Sequence, residues 1–115
     1  MKYLTLVLLC LLTFFFLKKR FFYNTDYKAI LTGGGIIIDV RSEAEFYSGH
    51  IENSLNIHLV DLSSRLDCLK YKDQAIITCC ASGIRSAGAQ KLLSYNGYAN
   101  VVNGGGWLDL ERKLK

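Results

Sequence analysis

Apolar residues along this chain fall into runs of different character, and each kind predicts a different element. Residues 3–17, YLTLVLLCLLTFFFL, form a run that no charge interrupts. Residues 36–40 (IIIDV) and 75–79 (AIITC) are short, continuous and rich in β-branched side chains, as expected of strands buried on both faces of a parallel sheet. Elsewhere the apolar positions recur at helical spacing. Leu59, Leu62, Leu66 and Leu69 predict a helix over 59–71, and a second begins near Ser86 and runs to Gly97.

Polar and glycine punctuation supplies the remaining boundaries. Asn24 or Thr25 caps a short helix that carries Asp26 in its first turn and ends at Gly33, Gly34 and Gly35. That glycine run lacks the spacing of a phosphate-binding loop and precedes a strand, so it reads as a helix stop and joint. Ser42 caps a helix over 43–47 that stops at Gly49. Residues 54–58 and 100–102 predict short strands, residues 103–106 a turn, and Trp107, Leu108 and Leu110 a closing amphipathic turn. Strands and helices alternating at these lengths imply one small three-layer α/β domain, residues 24–115, with a mainly parallel sheet.

Charge changes the picture at one end only. Lys2, Lys18, Lys19 and Arg20 are four of the fourteen basic residues, so the remaining ten balance the ten acidic ones. A neutral folded part gives a nucleic-acid partner no basic face to bind. The basic cluster follows the apolar run directly and precedes Phe21, Phe22 and Tyr23. Residues 1–23 therefore read as an uncleaved single-pass membrane anchor or, as the alternative, a signal-like segment without a small-x-small cleavage site. Fifteen uncharged residues at ~1.5 Å each fall short of a hydrocarbon core of ~30 Å, a gap that snorkelling lysines would help to close. The heavier basic flank after the run favours the cytoplasmic side for the domain, with a periplasmic or other extracytoplasmic placement as the alternative.

Candidate chemistry concentrates between residues 74 and 95. A strand ending near Cys79 runs into a loop that opens on Cys80 and holds Gly83 and Arg85, and a helix follows. Unpaired amides and the positive end of a helix dipole favour an anion there. A cysteine so placed ionises below the usual ~8.5, within roughly 3.5 to 7.5. Cys10, Cys68, Cys79 and Cys80 show no spacing for a zinc site or disulfide framework, and a bridge between sequence neighbours is strained, so a free thiol is expected. Cys68 reads as packing, with a resolving thiol as the alternative. Asp39 and Arg41 read as a structural ion pair at a strand end, and His50 as a hydrogen-bonded turn residue; each has a functional alternative, at a ligand site or as a general base.

Four stretches in order, IIIDVRSEAEF, SGHIENSLNI, CCASGIRSAG and GYANVVNGGGW, make residues 24–110 resemble a single-domain rhodanese, a sulfurtransferase. The glycines before Trp107 are similar to those of small bacterial rhodaneses of the cell envelope. Glu52 departs from the proline often found after the GHI triplet, and no first strand is evident before residue 24. The resemblance implies Cys80 as the nucleophile and Ala81, Ser82, Gly83, Ile84, Arg85 and Ser86 as the substrate loop, with Asp39 and Arg41 in support. It implies a persulfide on Cys80, loaded from an anionic or persulfide sulfur donor and unloaded by a thiol or cyanide, with no cofactor and no metal. Started one residue earlier, Cys79 to Arg85 resembles the phosphate loop of cysteine phosphatases, although Thr78 stands where a histidine is usual. The third alternative is a non-catalytic rhodanese-like binding module.

Overall fold

The computed structural model describes residues 2–23 and 25–115, with residues 18–23 described as backbone only. Asn24, one of the two expected caps, lies outside the described residues, as do the side chains of Phe21, Phe22 and Tyr23. The elements run α1 (Lys2–Tyr23), α2 (Tyr27–Thr32), β1 (Ile36–Asp39), α3 (Glu43–Ser48), β2 (Leu55–Asn56), α4 (Leu59–Leu62), a 3-10 turn (Leu66–Cys68), β3 (Ile76–Cys80), α5 (Ile84–Tyr95), β4 (Val101–Gly106) and α6 (Trp107–Leu114). All four strands are parallel, in the order β2-β1-β3-β4.

Successive residues of a strand point to opposite faces, and the two central strands use this to build two apolar layers. Ile38, Val40, Ile76 and Cys80 pack on one side with Leu62 of α4 and Ala89 and Leu93 of α5. Ile37, Ile77 and Cys79 pack on the other with Leu110 of α6, joined by Ile30 and Leu31 of α2. Helices thus cover both faces of the sheet, which is the three-layer α/β arrangement expected.

Several boundaries differ from the sequence-based expectation, each for a local reason. Asp26 is the N-cap of α2, its side chain accepting from the Ala29 amide, so that helix begins one or two residues later than expected from a cap at Asn24 or Thr25. The 59–71 helix breaks after Leu62. Both the amide and the hydroxyl of Ser64 donate to the Asp61 carbonyl, so the next turn is tightened and the leucine spacing continues through the 3-10 turn. Cys68 is exposed at the end of that turn, not packed. β3 keeps Cys80 as its last residue, and α5 starts at Ile84, two residues before expected.

Residues 103–106 are strand, not turn. A Cβ on Gly104 would lie 2.7 Å from Ile77 Cγ2, 2.8 Å from Leu110 Cδ2 and 2.9 Å from the Thr78 carbonyl, so only glycine lets β4 lie this close to β3 and α6. The β3–β4 register shifts between Thr78 and Cys80, with Thr78 opposite Asn103 and Cys80 opposite Gly106. This bulge swings the end of β4 beneath the loop that follows Cys80.

The N-terminal helix forms, but the expectation of a membrane anchor finds no support. No helix among the described residues is long and apolar enough to cross a membrane. Residues 2–17 of α1 are exposed throughout. The cytoplasmic placement rested on that span and loses its basis with it.

Candidate functional site

β3 delivers Cys80 to the carboxyl edge of the sheet, where the chain turns through residues 81–83 into α5. Gly83 sits at φ +99°, a left-handed conformation that glycine adopts without strain. It is also the N-cap of α5, so no cap side chain reaches the first helical amides. The cysteine sulfur fills that role. The Gly83 amide donates to Cys80 Sγ at 2.9 Å and the Ser86 amide at 3.4 Å.

Ser86 Oγ lies 3.4 Å from the same sulfur and accepts from the thiol. Its own proton goes to Asn103 Oδ1 at 2.7 Å. On ionisation the sulfur becomes a stronger acceptor and competes for that proton. Asn103 is itself fixed on β4. It accepts from the Gly105 amide at 2.9 Å and donates to the Gly83 carbonyl at 3.2 Å, so one side chain ties the bulge, the loop and the serine together. Thr78 adds a further tie from below, donating to the Ser86 carbonyl at 2.9 Å.

The two adjacent cysteines acquire opposite acid strengths from these surroundings. Burial pushes the Cys80 thiol up, but the hydrogen bond with the Ser86 side chain and those from the Ser86, Gly83 and Ser82 amides outweigh it and leave the thiol below its ordinary value. Cys79 has burial and the nearby Asp39 carboxylate against it, and its thiol is pushed up to about 12. Cys79 points to the opposite face of the sheet, among Ile77 and Leu110. A phosphatase nucleophile at Cys79 would therefore be a neutral thiol on the wrong side of β3.

Arg85 stands at the half-exposed mouth of the loop. Its Nη1 and Nη2 donate to the two carboxylate oxygens of Glu45 at 2.7 and 2.9 Å. The paired guanidinium, with a capping bond from the Ser42 amide, holds the Glu45 carboxyl down at about 2, and Glu45 holds Arg85 above its already high value. Ser42 and Glu45 form a reciprocal capping box on α3. Ala81, Ser82 and Ile84 are exposed around the rim, while Ser86 is buried beneath the sulfur.

Asp39 and Arg41 are not in this cluster. They form the structural pair expected of them: the Arg41 amide, Nε and Nη2 all donate to the Asp39 carboxylate, the closest at 2.7 Å, with both side chains buried. Arg41 also donates to the carbonyls of Glu45 and Gly49 and lies 4.7 Å from the Trp107 ring. It thereby fastens α3, and with it Glu45, to the sheet. His50 bonds the Phe46 carbonyl at 2.8 Å and stacks on the Phe46 ring, a turn residue as expected. Sequence reasoning missed Asn103 and Glu45, whose partners lie 17 and 40 residues away.

A family model described as a rhodanese-like domain matches residues 24–112. The chain belongs to the rhodanese-like family. The thiosulfate sulfurtransferase PspE of Escherichia coli K12 is 31% identical over 74 residues, covering 64% of this chain and 71% of its own. A tRNA uridine(34) hydroxylase of Buchnera aphidicola is 34% identical over 77 residues, covering 61% of this chain, which spans only 25% of that enzyme. Among solved structures, an E. coli rhodanese with anions superposes with a TM-score of 0.61 at 32% identity, over 66% of this chain and 91% of its own. The relatives of this rhodanese-like chain thus carry names of different reactions, sulfur transfer and tRNA hydroxylation, and its own reaction has to be argued from the site.

Proposed function

We propose that this protein is a sulfurtransferase that carries a sulfane sulfur on Cys80 as a persulfide. The observation that carries the reading is the position of Cys80 Sγ as the acceptor of two amides at the start of α5, 2.9 Å from the N-cap Gly83 N and 3.4 Å from Ser86 N. Such a cradle stabilises a thiolate, and it stabilises equally the anionic end of a persulfide one sulfur longer. The reaction runs in two halves. The Cys80 thiolate attacks the outer sulfur of thiosulfate or of a persulfide; the donor's S–S bond breaks and sulfite or a thiolate leaves with the electron pair. A thiol or cyanide acceptor then attacks the outer sulfur of the Cys80 persulfide and returns the thiolate.

Ala81, Ser82, Gly83, Ile84, Arg85 and Ser86 form the donor loop in this proposal, and Asp39 and Arg41 support it from the sheet. The similarity to PspE favours thiosulfate as a donor to try first. The hydroxylation for which the tRNA-modifying relatives are named is not included, because the match covers about a quarter of those chains. The test is thiocyanate formation from thiosulfate and cyanide by the full chain. Activity that disappears in Cys80→Ser and survives in Cys79→Ser is the expected result. Activity that survives Cys80→Ser overturns the proposal.

A further inference from the structure

The guanidinium at the mouth of the loop is already occupied. Arg85 is held by both carboxylate oxygens of Glu45, and the two side chains are exposed to a similar degree, 35% and 38%. Arg85 nonetheless senses the Cys80 sulfur electrostatically. A carboxylate held near 2 stays ionised throughout neutral pH, so the positive charge beside the sulfur is compensated under working conditions. A bidentate pair also engages both terminal nitrogens of the guanidinium and fixes its orientation on Glu45.

This matters most for a small dianion. Attack of the Cys80 thiolate on thiosulfate gathers three negative charges at the loop and releases a doubly charged sulfite. Attack on a protonated persulfide, R–S–SH, gathers one: the donor S–S bond breaks, R–S⁻ leaves with the pair, and Cys80 carries –S–SH. We infer that Glu45 is a specificity-determining residue that neutralises Arg85, filters small anions from the Cys80 loop and favours low-charge persulfide donors over dianionic ones. The inference rests on the sulfurtransferase reading for its choice of donors, but the charge filter itself acts on any small anion.

Glu45 can be altered without losing its structural duty, since glutamine also completes a capping box. The experiment compares alkylation of Cys80 by anionic iodoacetate and neutral iodoacetamide, resolved by peptide mass mapping, in the parent, Glu45→Gln, Arg85→Gln and Ser42→Ala. The ratio of the two rates should rise about threefold or more in Glu45→Gln and fall below the parent in Arg85→Gln, both shifts shrinking as salt is added. Ser42→Ala breaks the capping box, keeps the carboxylate and should leave the ratio unchanged. In parallel, the KM for thiosulfate should fall in Glu45→Gln more than the KM for an uncharged alkyl hydropersulfide.

A ratio in Glu45→Gln equal to or below the parent's overturns the inference. So does an equal rise in Ser42→Ala, which would trace the effect to the cap. Loading of Cys80 in the parent separates the two claims. If neither donor places sulfur on Cys80 while the alkylation ratio shifts as described, the sulfurtransferase reading fails and the charge filter stands.

Discussion

Cys79 and Cys80 are one residue apart and live in different chemical worlds. Cys80 faces the α5 side of the sheet and meets a ring of donors; Cys79 faces the α6 side and meets Ile77, Leu110 and the field of a buried carboxylate. The strand's period of two makes the difference, and no property of the cysteines themselves does. The lesson is that reactivity follows from which face of the strand ends in a loop with free amides. A thiol is activated where the backbone has donors to spare.

The largest expected effect breaks this comparison outright. Cys80→Ser should lower sulfur transfer at least about a thousandfold, while Cys79→Ser should keep it within a few-fold of the parent. A steady-state thiocyanate assay on the two variants checks this.

The next prediction concerns the opposite face. Asp39→Asn leaves the Arg41 charge buried without a full partner and should cost about 3–5 kcal/mol, read as a fall in the midpoint of chemical denaturation. Its effect on Cys80 alkylation at a pH where the protein remains folded should be small by comparison.

A subtler change sharpens the contrast. Asn103→Ala releases the Ser86 hydroxyl to the sulfur, but it also unfastens the loop from β4, and the amide cradle's loss of fixed geometry outweighs the freed donor. The pH at which Cys80 alkylation is half-maximal should move upward, with the rate at pH 7 falling about two- to tenfold. In the parent, the rate should reach its plateau at a lower pH than that of an ordinary cysteine thiol. The sign follows from the lowered Cys80 value: the folded state favours the thiolate, so stability from this group is present at alkaline pH and is lost as pH falls through the Cys80 titration.

The smallest effect belongs to Ser42. Ser42→Ala removes one half of the capping box and should cost about 1 kcal/mol in thermal or chemical unfolding, with no change in the titration of Cys80.

Much of this was legible in the sequence. The runs around Ile38 and Ile77 are apolar on consecutive positions because both of their faces are covered, and that pattern needs no partner to be recognised. Cys80, Gly83 and Arg85 announced a loop before a helix. What was not legible depends on distant neighbours. Residues 103–106 look like a turn until Ile77 and Leu110 are seen to leave Gly104 no room for a side chain. The helix expected to Tyr71 kept its leucine spacing through a change of helix type at Ser63 and Ser64. Glu45 showed its local role as a helix residue, and its bond to Arg85 forms across the fold. The long apolar run signalled a helix correctly, and the membrane expectation placed on it found no support.

The central claim is that the sulfur resides on Cys80, held by the α5 amides. It is tested most directly by incubating the full chain with thiosulfate, or with glutathione persulfide, and sequencing the peptide that contains both cysteines by fragment mass spectrometry. A gain of one sulfur atom on Cys80, with Cys79 unmodified and the gain removed by cyanide, is the predicted result. A gain on Cys79, or none on either cysteine with both donors, would contradict it.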